Sequence, residues 1–255
     1  MRSYIAFTKK EFLESFRTYR LVIMVAALAF FGLLSPFTAR ILPDILSGMD
    51  IGGGVVIELP EPSANDSWAQ FFSNISQMGM LVVIIVFCGI TANELSKGTL
   101  INIVTKGIRR HTVLLAKFTV ATLMWTLGYA LSLGICLGYT IYFWGTHDLP
   151  HAWLTFGAPW LFGVLLIIVM ILGGICTSSI TGSLVGVGVI VIGLNLINIA
   201  PAAQKYNPIS LAGGTFGILD SSATVDDFFP AALICVGVIV VTLVASIVVF
   251  DRKQL

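Results

Sequence analysis

The sequence predicts an all-α membrane protein with six transmembrane helices, forming a single transmembrane domain over residues 1–255. Three observations predict this class. The 255 residues are 57% hydrophobic and only 11% charged, whereas a soluble domain carries about 25% charged residues. Several charge-free stretches have the roughly 20 residues that an apolar helix needs to cross a bilayer. Lys and Arg residues concentrate in alternate connections, as in multi-pass proteins. This composition excludes a soluble enzyme and disfavours a nucleic-acid partner.

Charge-poor stretches of helical length define the predicted spans. The stretch from Leu149 to Gln204 is too long for one crossing, and the polar cluster from Thr177 to Gly182 predicts a turn that divides it into two helices. To within about 2–4 residues, the predicted spans are Leu21–Ala39, Met78–Asn93, Val113–Trp144, Phe156–Cys176, Ser183–Ile199 and Pro230–Phe250.

The distribution of basic residues predicts the orientation. Six spans leave both termini on one side of the membrane, and that side carries twelve of the 14 Lys and Arg residues, all but Arg40 and Lys205. Because Lys and Arg concentrate in cytoplasmic connections, both termini are expected in the cytoplasm. Residues 40–77 are then an external segment, and residues 200–229 form an external cap.

Residues 1–20 predict an amphipathic helix ahead of the first span. Apolar Ile5, Phe12, Phe16 and Tyr19 recur at helical spacings and fall on one stripe. The charged residues on the other faces are Lys9, Lys10, Glu14 and Arg17. The helix has two compatible interpretations. It lies in the inner membrane interface among lipid head groups, or it serves as an orientation signal for the first span.

The connection between the second and third spans, residues 94–112, is longer than a hairpin requires. Leu100, Ile103 and Val104 stand at positions i, i+3 and i+4, and Gly107 provides a helix stop before a basic cluster. This pattern predicts a short amphipathic helix in the cytoplasm. The apolar stripe of this helix must be shielded from water, either by lipid head groups or by a protein partner. The sequence does not favour one of these over the other.

Several kinds of active site are missing from the sequence. All charged residues are expected in loops or at span ends, which argues against a proton-driven carrier. The chain has no Gly-Lys dipeptide and therefore no phosphate-binding P-loop. Pro150 separates His147 from His151 and interrupts any helix that would align them as metal ligands. No catalytic or metal-binding residue is therefore predicted, and any energy for transport must come from a partner.

Two segments resemble a known family. The pattern Glu94-x-x-x-Gly98-Thr99-Leu100, followed by Arg109 and Lys117, is similar to the E-x-x-x-G-T-L … R … K pattern of type 2 ABC transporter permeases. The opening Lys9-Lys10-Glu11-Phe12-Leu13, followed by Arg17 and Arg20, resembles the amphipathic N-terminal helix of that family, and Phe16 belongs to the same predicted helix. With weaker similarities near Thr177 and Asn207, the resemblance covers most of the chain.

The resemblance implies a bacterial plasma-membrane subunit without a cofactor of its own. Members pair two six-span permeases with two cytosolic ATPase subunits, which bind ATP and Mg²⁺ and push on a coupling helix between spans two and three. It further implies that Glu94 pairs with a basic neighbour, although a solvated loop acid is the simpler interpretation. The residues that it assigns to coupling are Glu94, Lys97, Gly98, Thr99, Leu100, Ile103, Val104 and Arg109.

The resemblance also implies contact with a second permease, either an identical copy or a paralogue. Gly134 and Gly138 in the third span, and Gly182 and Gly186 in the fifth, have the small-xxx-small spacing of close helix contacts. Glycine is common in membrane helices in any case. Because the predicted span interiors lack charge, the expected substrate is an exported amphiphile such as a hydrophobic peptide, lipid or drug.

Two other functions remain open at the level of sequence. The chain could be a non-transporting anchor, immunity or sensor subunit for an ABC ATPase. It could also be an intramembrane enzyme. Membrane lipids are partners in every case.

Overall fold

The computed structural model describes residues 2–47, 61–96, 98, 109–146 and 148–253, and these residues form helices and no strand. An N-terminal helix, Arg2–Arg17, precedes six helices that are long and apolar enough to cross a membrane. The prediction of six spans is confirmed. Spans 1 to 6 are Arg20–Pro43, Ala64–Ser96, Arg110–Trp144, Ala152–Thr177, Ile180–Ile197 and Val225–Arg252.

The two largest differences from the predicted boundaries lie in spans 1 and 2. The helix of span 1 continues through Pro43 to Ser47 instead of ending at Ala39. Span 2 begins at Ala64 instead of Met78, so residues 64–77 of the predicted external segment are helical. The charge of Asp66 does not interrupt this helix, because its carboxylate accepts the Ser63 N–H at 2.8 Å in a capping box.

Span 4 forms the centre of the bundle. All residues from Phe162 to Ile171 are buried, as expected for a helix that is hydrophobic all round. Spans 3, 5 and 6 pack on it. Many apolar side chains of spans 5 and 6 face outward instead, including Val189 and Val241, which suits a surface in contact with lipid acyl chains.

Two glycines allow close contact between helices. A Cβ at Gly32 in span 1 would collide with the backbone carbonyl of Ser132 in span 3. A Cβ at Gly163 in span 4 would lie 2.5 Å from the indole nitrogen of buried Trp125. Small residues let membrane helices approach closely and gain van der Waals contact.

Short turns and helices join the later spans. Between spans 4 and 5, Ser178 takes a left-handed conformation with φ 53°, within the predicted turn. Between spans 5 and 6, buried Asn207 donates its side-chain N–H to the carbonyl of Leu194 at 2.7 Å. This connection contains Pro201–Gln204, the 3-10 turn Pro208–Leu211 and Phe216–Leu219, and it ends where span 6 begins at Val225, so residues 225–229 of the predicted external cap belong to span 6.

Candidate functional site

Five charged side chains meet where the N-terminal helix, the last turn of span 2 and the first turns of span 3 come together. We call this group the ion cluster, and the end of the bundle that contains it the ion-cluster end. Its members are Lys10, Glu11, Glu14, Glu94 and Lys117.

Lys117 is the centre of the ion cluster. Its side chain is only 2% exposed, and its Nζ lies 2.9 Å from Glu11 Oε2 and 2.8 Å from Glu94 Oε2. It follows Arg110, the first residue of span 3, by seven positions, about 10 Å along the helix at 1.5 Å per residue. Lys117 thus lies in the first turns of span 3, close to the predicted span end, and its carboxylate partners compensate its burial.

Lys10 closes the cluster on its exposed side. Its Nζ lies 2.6 Å from Glu14 Oε2, 3.0 Å from Glu11 Oε1 and 3.3 Å from Glu94 Oε1. Burial lowers the pKa of Lys10, but the hydrogen bond that its ammonium donates to Glu14 and the negative charges of Glu11 and Glu94 outweigh burial, so the pKa is raised. For Glu14 the directions are reversed. Burial raises the pKa of its carboxyl, but the hydrogen bond that it accepts from Lys10 and the positive charge of Lys10 outweigh burial, so the pKa is lowered.

The N-terminal helix turns a partly polar face toward span 3. Phe7, Glu11 and Ser15 are buried on this face, and the Tyr4 and Thr119 hydroxyls hydrogen-bond at 2.8 Å. The predicted apolar stripe faces away from the bundle. Its exposed members are Ile5, Phe12, Phe16 and Tyr19. Lys9 is also exposed. Lys10 and Glu11 of the predicted interfacial residues therefore enter the ion cluster, together with Glu14 of the same helix, whereas Lys9, Phe12 and Phe16 do not.

Hydrogen bonds at the ion-cluster end also connect span 3 to span 6 and span 6 to span 4. The guanidinium of Arg110 donates to the carbonyl of Phe250 at 2.9 Å, and Lys253 donates to the Ser178 hydroxyl at 2.6 Å. The Arg110 guanidinium thus lies at the carboxyl end of span 6, and the Lys253 ammonium lies at the carboxyl end of span 4. The exposed carbonyls and the helix dipole favour positive charge at such ends. The ion-cluster end is therefore held together by charged side chains from several helices.

The predicted coupling segment begins beside Glu94. Gly98 has φ 65° and donates its N–H to Leu95 at 3.2 Å, the left-handed geometry that ends a helix. Arg109 is exposed, with extended backbone, just before span 3. The other residues predicted to act in coupling lie outside the described residues. They are Lys97, Thr99, Leu100, Ile103 and Val104.

The two predicted glycine pairs have different surroundings. A Cβ at Gly134 or Gly138 would meet nothing within 4 Å, so this face of span 3 is open. Gly182, by contrast, lies against the Thr177 side chain, and a Cβ at Gly186 would lie 3.8 Å from Gly173 Cα in span 4. The packing of Gly182 and Gly186 serves the hairpin of spans 4 and 5 within the chain, which leaves Gly134 and Gly138 as the pair available to a second copy.

Sequence reasoning assigned no site role to Glu14 and took Lys117 only as part of a family pattern. One signal in the sequence pointed to Lys117, because it is the single charged residue within the predicted span Val113–Trp144.

The three carboxylates of the ion cluster are close enough to raise the question of a metal site. Carboxylate oxygens of Glu11, Glu14 and Glu94 lie within 4.8 Å of one another. Lys10 and Lys117 already pair with all three carboxylates, so the arrangement fits an ion-pair network better than a metal centre.

Comparison with known proteins supports membrane insertion. No protein family model matches the sequence. Over 140 residues the chain is 24% identical to the uncharacterized transmembrane protein YxlG of Bacillus subtilis (strain 168). The matched stretch covers 54% of this chain and 54% of that protein, about half the length of each. Together with the six apolar helices, this similarity identifies the chain as a multi-pass membrane protein.

Proposed function

We propose that the chain is the membrane permease subunit of an ATP-driven ABC exporter in a bacterial plasma membrane. Two permease subunits form the translocation path, and two separate cytosolic ATPase subunits drive it from the ion-cluster end. The single observation that carries this proposal is the burial of Lys117 between Glu11 and Glu94. The resemblance of Glu94-x-x-x-Gly98-Thr99-Leu100 to the permease pattern, which also includes Lys117, supports it further.

The ion cluster is suited to transmitting force. Glu94 and Gly98 stand where span 2 leads into the segment predicted to contact the ATPase, and span 3 begins just after that segment. Lys117 ties this junction to the N-terminal helix. Because separating the pair would leave a buried charge without compensation, which is strongly unfavourable, a push on the connecting segment is expected to move the three elements together.

The dimer is expected to form on the open face of span 3. Gly134 and Gly138 leave space there, and Tyr142, one helical turn beyond Gly138, is 79% exposed. Close contact through small residues, flanked by aromatic side chains, is a common way for membrane helices to associate. In this arrangement the ion clusters of the two subunits lie on the same side of the membrane.

Capture of the partner tests the proposal. The tagged full chain, extracted at native expression level in mild detergent, is expected to bring down an ATPase whose P-loop is identified by mass spectrometry. The complex in lipid discs should hydrolyse ATP. A correctly inserted chain that captures no P-loop ATPase would contradict both the exporter and the anchor functions, leaving the intramembrane enzyme. Capture with hydrolysis that no amphiphile stimulates would favour the anchor over the exporter.

Leu100→Asp tests the coupling segment. Asp removes an apolar contact from the predicted coupling helix, so we expect ATP hydrolysis to lose its stimulation by substrate and transport to fall at least tenfold. Leu100→Met is the matched control and should keep both activities, because Met preserves the apolar contact. Both variants should insert normally. Unchanged transport by Leu100→Asp would remove the coupling role of this segment.

A further inference from the structure

A cavity of about 920 Å³ opens at the end of the bundle opposite the ion cluster. Gln77 on its wall precedes Glu94 of the ion cluster by 17 residues along span 2, which crosses the bundle between them as the helices Met80–Phe87 and Ala92–Ser96 joined by a turn. Spans 2, 4 and 5, the connection between spans 5 and 6, and the first turn of span 6 surround the cavity. Its volume falls within the range of about 300–1,000 Å³ that is typical of small-molecule sites.

The cavity has an apolar wall and a polar rim. Met80 of span 2 and Phe162 and Leu166 of span 4 line the wall. The rim residues are Gln77, Asn195, Asn198, Gln204, Lys205 and Asp227. The rim thus combines four side-chain amides with one cation and one anion. Amide side chains both donate and accept hydrogen bonds. The positive charge of Lys205 balances the negative charge of Asp227, so the rim has no net charge.

Span 2 has an unusual backbone geometry beside this cavity. Span 2 departs from α-helical geometry into a π-helical turn at Ile75–Gly79, and Ser76 and Gln77 of this turn line the cavity. Such turns are rare and frequently occur at functional sites. A Cβ at Gly213 would lie 3.2 Å from Ser76 Oγ, so the connection packs tightly against the turn.

Buried hydrogen bonds fix the opposite wall. Asn207 is 2% exposed and donates to the Leu194 carbonyl at 2.7 Å and to Asn198 Oδ1 at 3.4 Å. Its own Oδ1 accepts the Ile209 N–H at 3.2 Å. Thr215 further anchors the connection by donating to the Thr155 carbonyl at 3.0 Å. The connection is thus held in place, so the cavity is a preformed feature of the fold.

We propose that this cavity binds the exported substrate, and that the substrate is an amphiphile with an apolar chain and a zwitterionic head group. The apolar chain lies along Met80, Phe162 and Leu166. The head group lies at the amide rim, with its anionic part toward Lys205 and its cationic part toward Asp227. An amphiphile of net charge leaves one of these rim charges unmatched. The inference deepens the proposed function by naming the substrate class, and it rests on that function for export but not for binding.

Photolabelling of the purified full chain in maltoside micelles tests the inference. The probe is lysophosphatidylcholine with a photoactivatable group in its acyl chain, and labelled peptides are identified by mass spectrometry. We expect saturable labelling of peptides that line the cavity. Unlabelled lysophosphatidylcholine should compete at least fivefold better than lysophosphatidylglycerol or an alkyltrimethylammonium of equal chain length. Labelling that does not saturate, or equal competition by the three amphiphiles, would overturn the proposal.

Matched variants on span 5 locate the site. Val191 lines the cavity, whereas Val189 on the same helix is 65% exposed on the outer surface. Val191→Trp fills the cavity and should reduce labelling at least fivefold, while Val189→Trp should stay within twofold of the original chain. Equal labelling of the two variants would place the site elsewhere.

A second variant tests the head-group assignment even if Val191→Trp fails to fold. Lys205→Met removes the rim cation and leaves Asp227, so alkyltrimethylammonium should become the best competitor. An unchanged order of competition would overturn the zwitterionic assignment. These measurements use the permease alone. Absence of binding with successful ATPase capture therefore refutes only this inference, and binding without capture refutes only the proposed function.

Discussion

At the scale of single residues, the burial of Lys117 has the clearest energetic consequence. An ammonium group with 2% exposure is tolerated because Glu11 and Glu94 supply compensating charge. Buried ion pairs add little net stability over apolar replacements, but removing one partner leaves a charge that is buried and uncompensated. The role of this arrangement is therefore to specify how three helices meet.

Replacing Lys117 tests this interpretation. Lys117→Met should lower the free energy of unfolding by about 3–5 kcal/mol, because Glu11 and Glu94 lose their buried partner. The measurement is equilibrium unfolding in mixed detergent micelles. Lys9→Met, which removes an exposed Lys from the N-terminal helix, is the control and should change stability by less than about 0.5 kcal/mol.

A triple variant that neutralises Lys117, Glu11 and Glu94 distinguishes the effect of charge on stability from the effect of packing. Lys117→Met combined with Glu11→Gln and Glu94→Gln removes the uncompensated charges, so most of the lost stability should return. A single Lys117→Met variant as stable as Lys9→Met would contradict the assignment of Lys117 to a buried ion pair.

At the scale of elements, the contacts between spans depend on backbone approach as well as side-chain packing. Span 1 packs along span 3, and Gly32 lies where the two helices are close enough that a Cβ would meet the Ser132 backbone. A backbone atom cannot move aside as the end of a flexible side chain can. This contact therefore fixes the separation of the two helices.

Gly32→Leu should separate spans 1 and 3 and destabilise the fold by about 1–3 kcal/mol or more, as overpacking does. The thermal unfolding midpoint in detergent provides the measurement. Gly134→Leu on the open face of span 3 is the matched control, since a Cβ there meets nothing within 4 Å, and its monomer should unfold at the original temperature. Equal midpoints for the two variants would show that the contact at Gly32 is not tight.

The sequence predicted the number of spans because charge-free stretches report directly on membrane crossing. It placed the start of span 2 too late, at Met78, because uncharged polar residues such as Gln70, Asn74 and Gln77 interrupt the apolar pattern in the preceding turns. It could not reveal the ion cluster, because Glu11 and Lys117 are 106 positions apart along the chain. The two G-x-x-x-G pairs were indistinguishable in sequence, since only packing shows that Gly182 lies against Thr177.

The N-terminal helix illustrates a further limit. Its apolar periodicity predicted a stripe, but in a membrane an apolar stripe can face lipid while the protein-facing side carries polar residues. Glu11 lies on that inner face, and Phe16 is 57% exposed. Periodicity therefore located the two faces of this helix without indicating which one packs on the bundle.

At the scale of the whole molecule, the ion cluster and the cavity lie at opposite ends of the bundle. Span 2 runs between them, from the π-helical turn beside the cavity, through the helix Met80–Phe87 and a turn at residues 88–91, to Glu94 in its last helix. In the proposed exporter, work enters at the ion-cluster end and changes the substrate site through this helix. That mechanism requires the ion-cluster end to face the cytoplasm, where ATP is available.

Cysteine accessibility in intact cells is the most direct test of this central claim. Ser96 at the ion-cluster end and Ser222 at the opposite end are both exposed, and each is changed to Cys after replacement of Cys88, Cys136, Cys176 and Cys235. A membrane-impermeant maleimide should label Ser222→Cys in intact cells and Ser96→Cys only after permeabilisation. Labelling of Ser96→Cys in intact cells, with Ser222→Cys protected, would contradict the account.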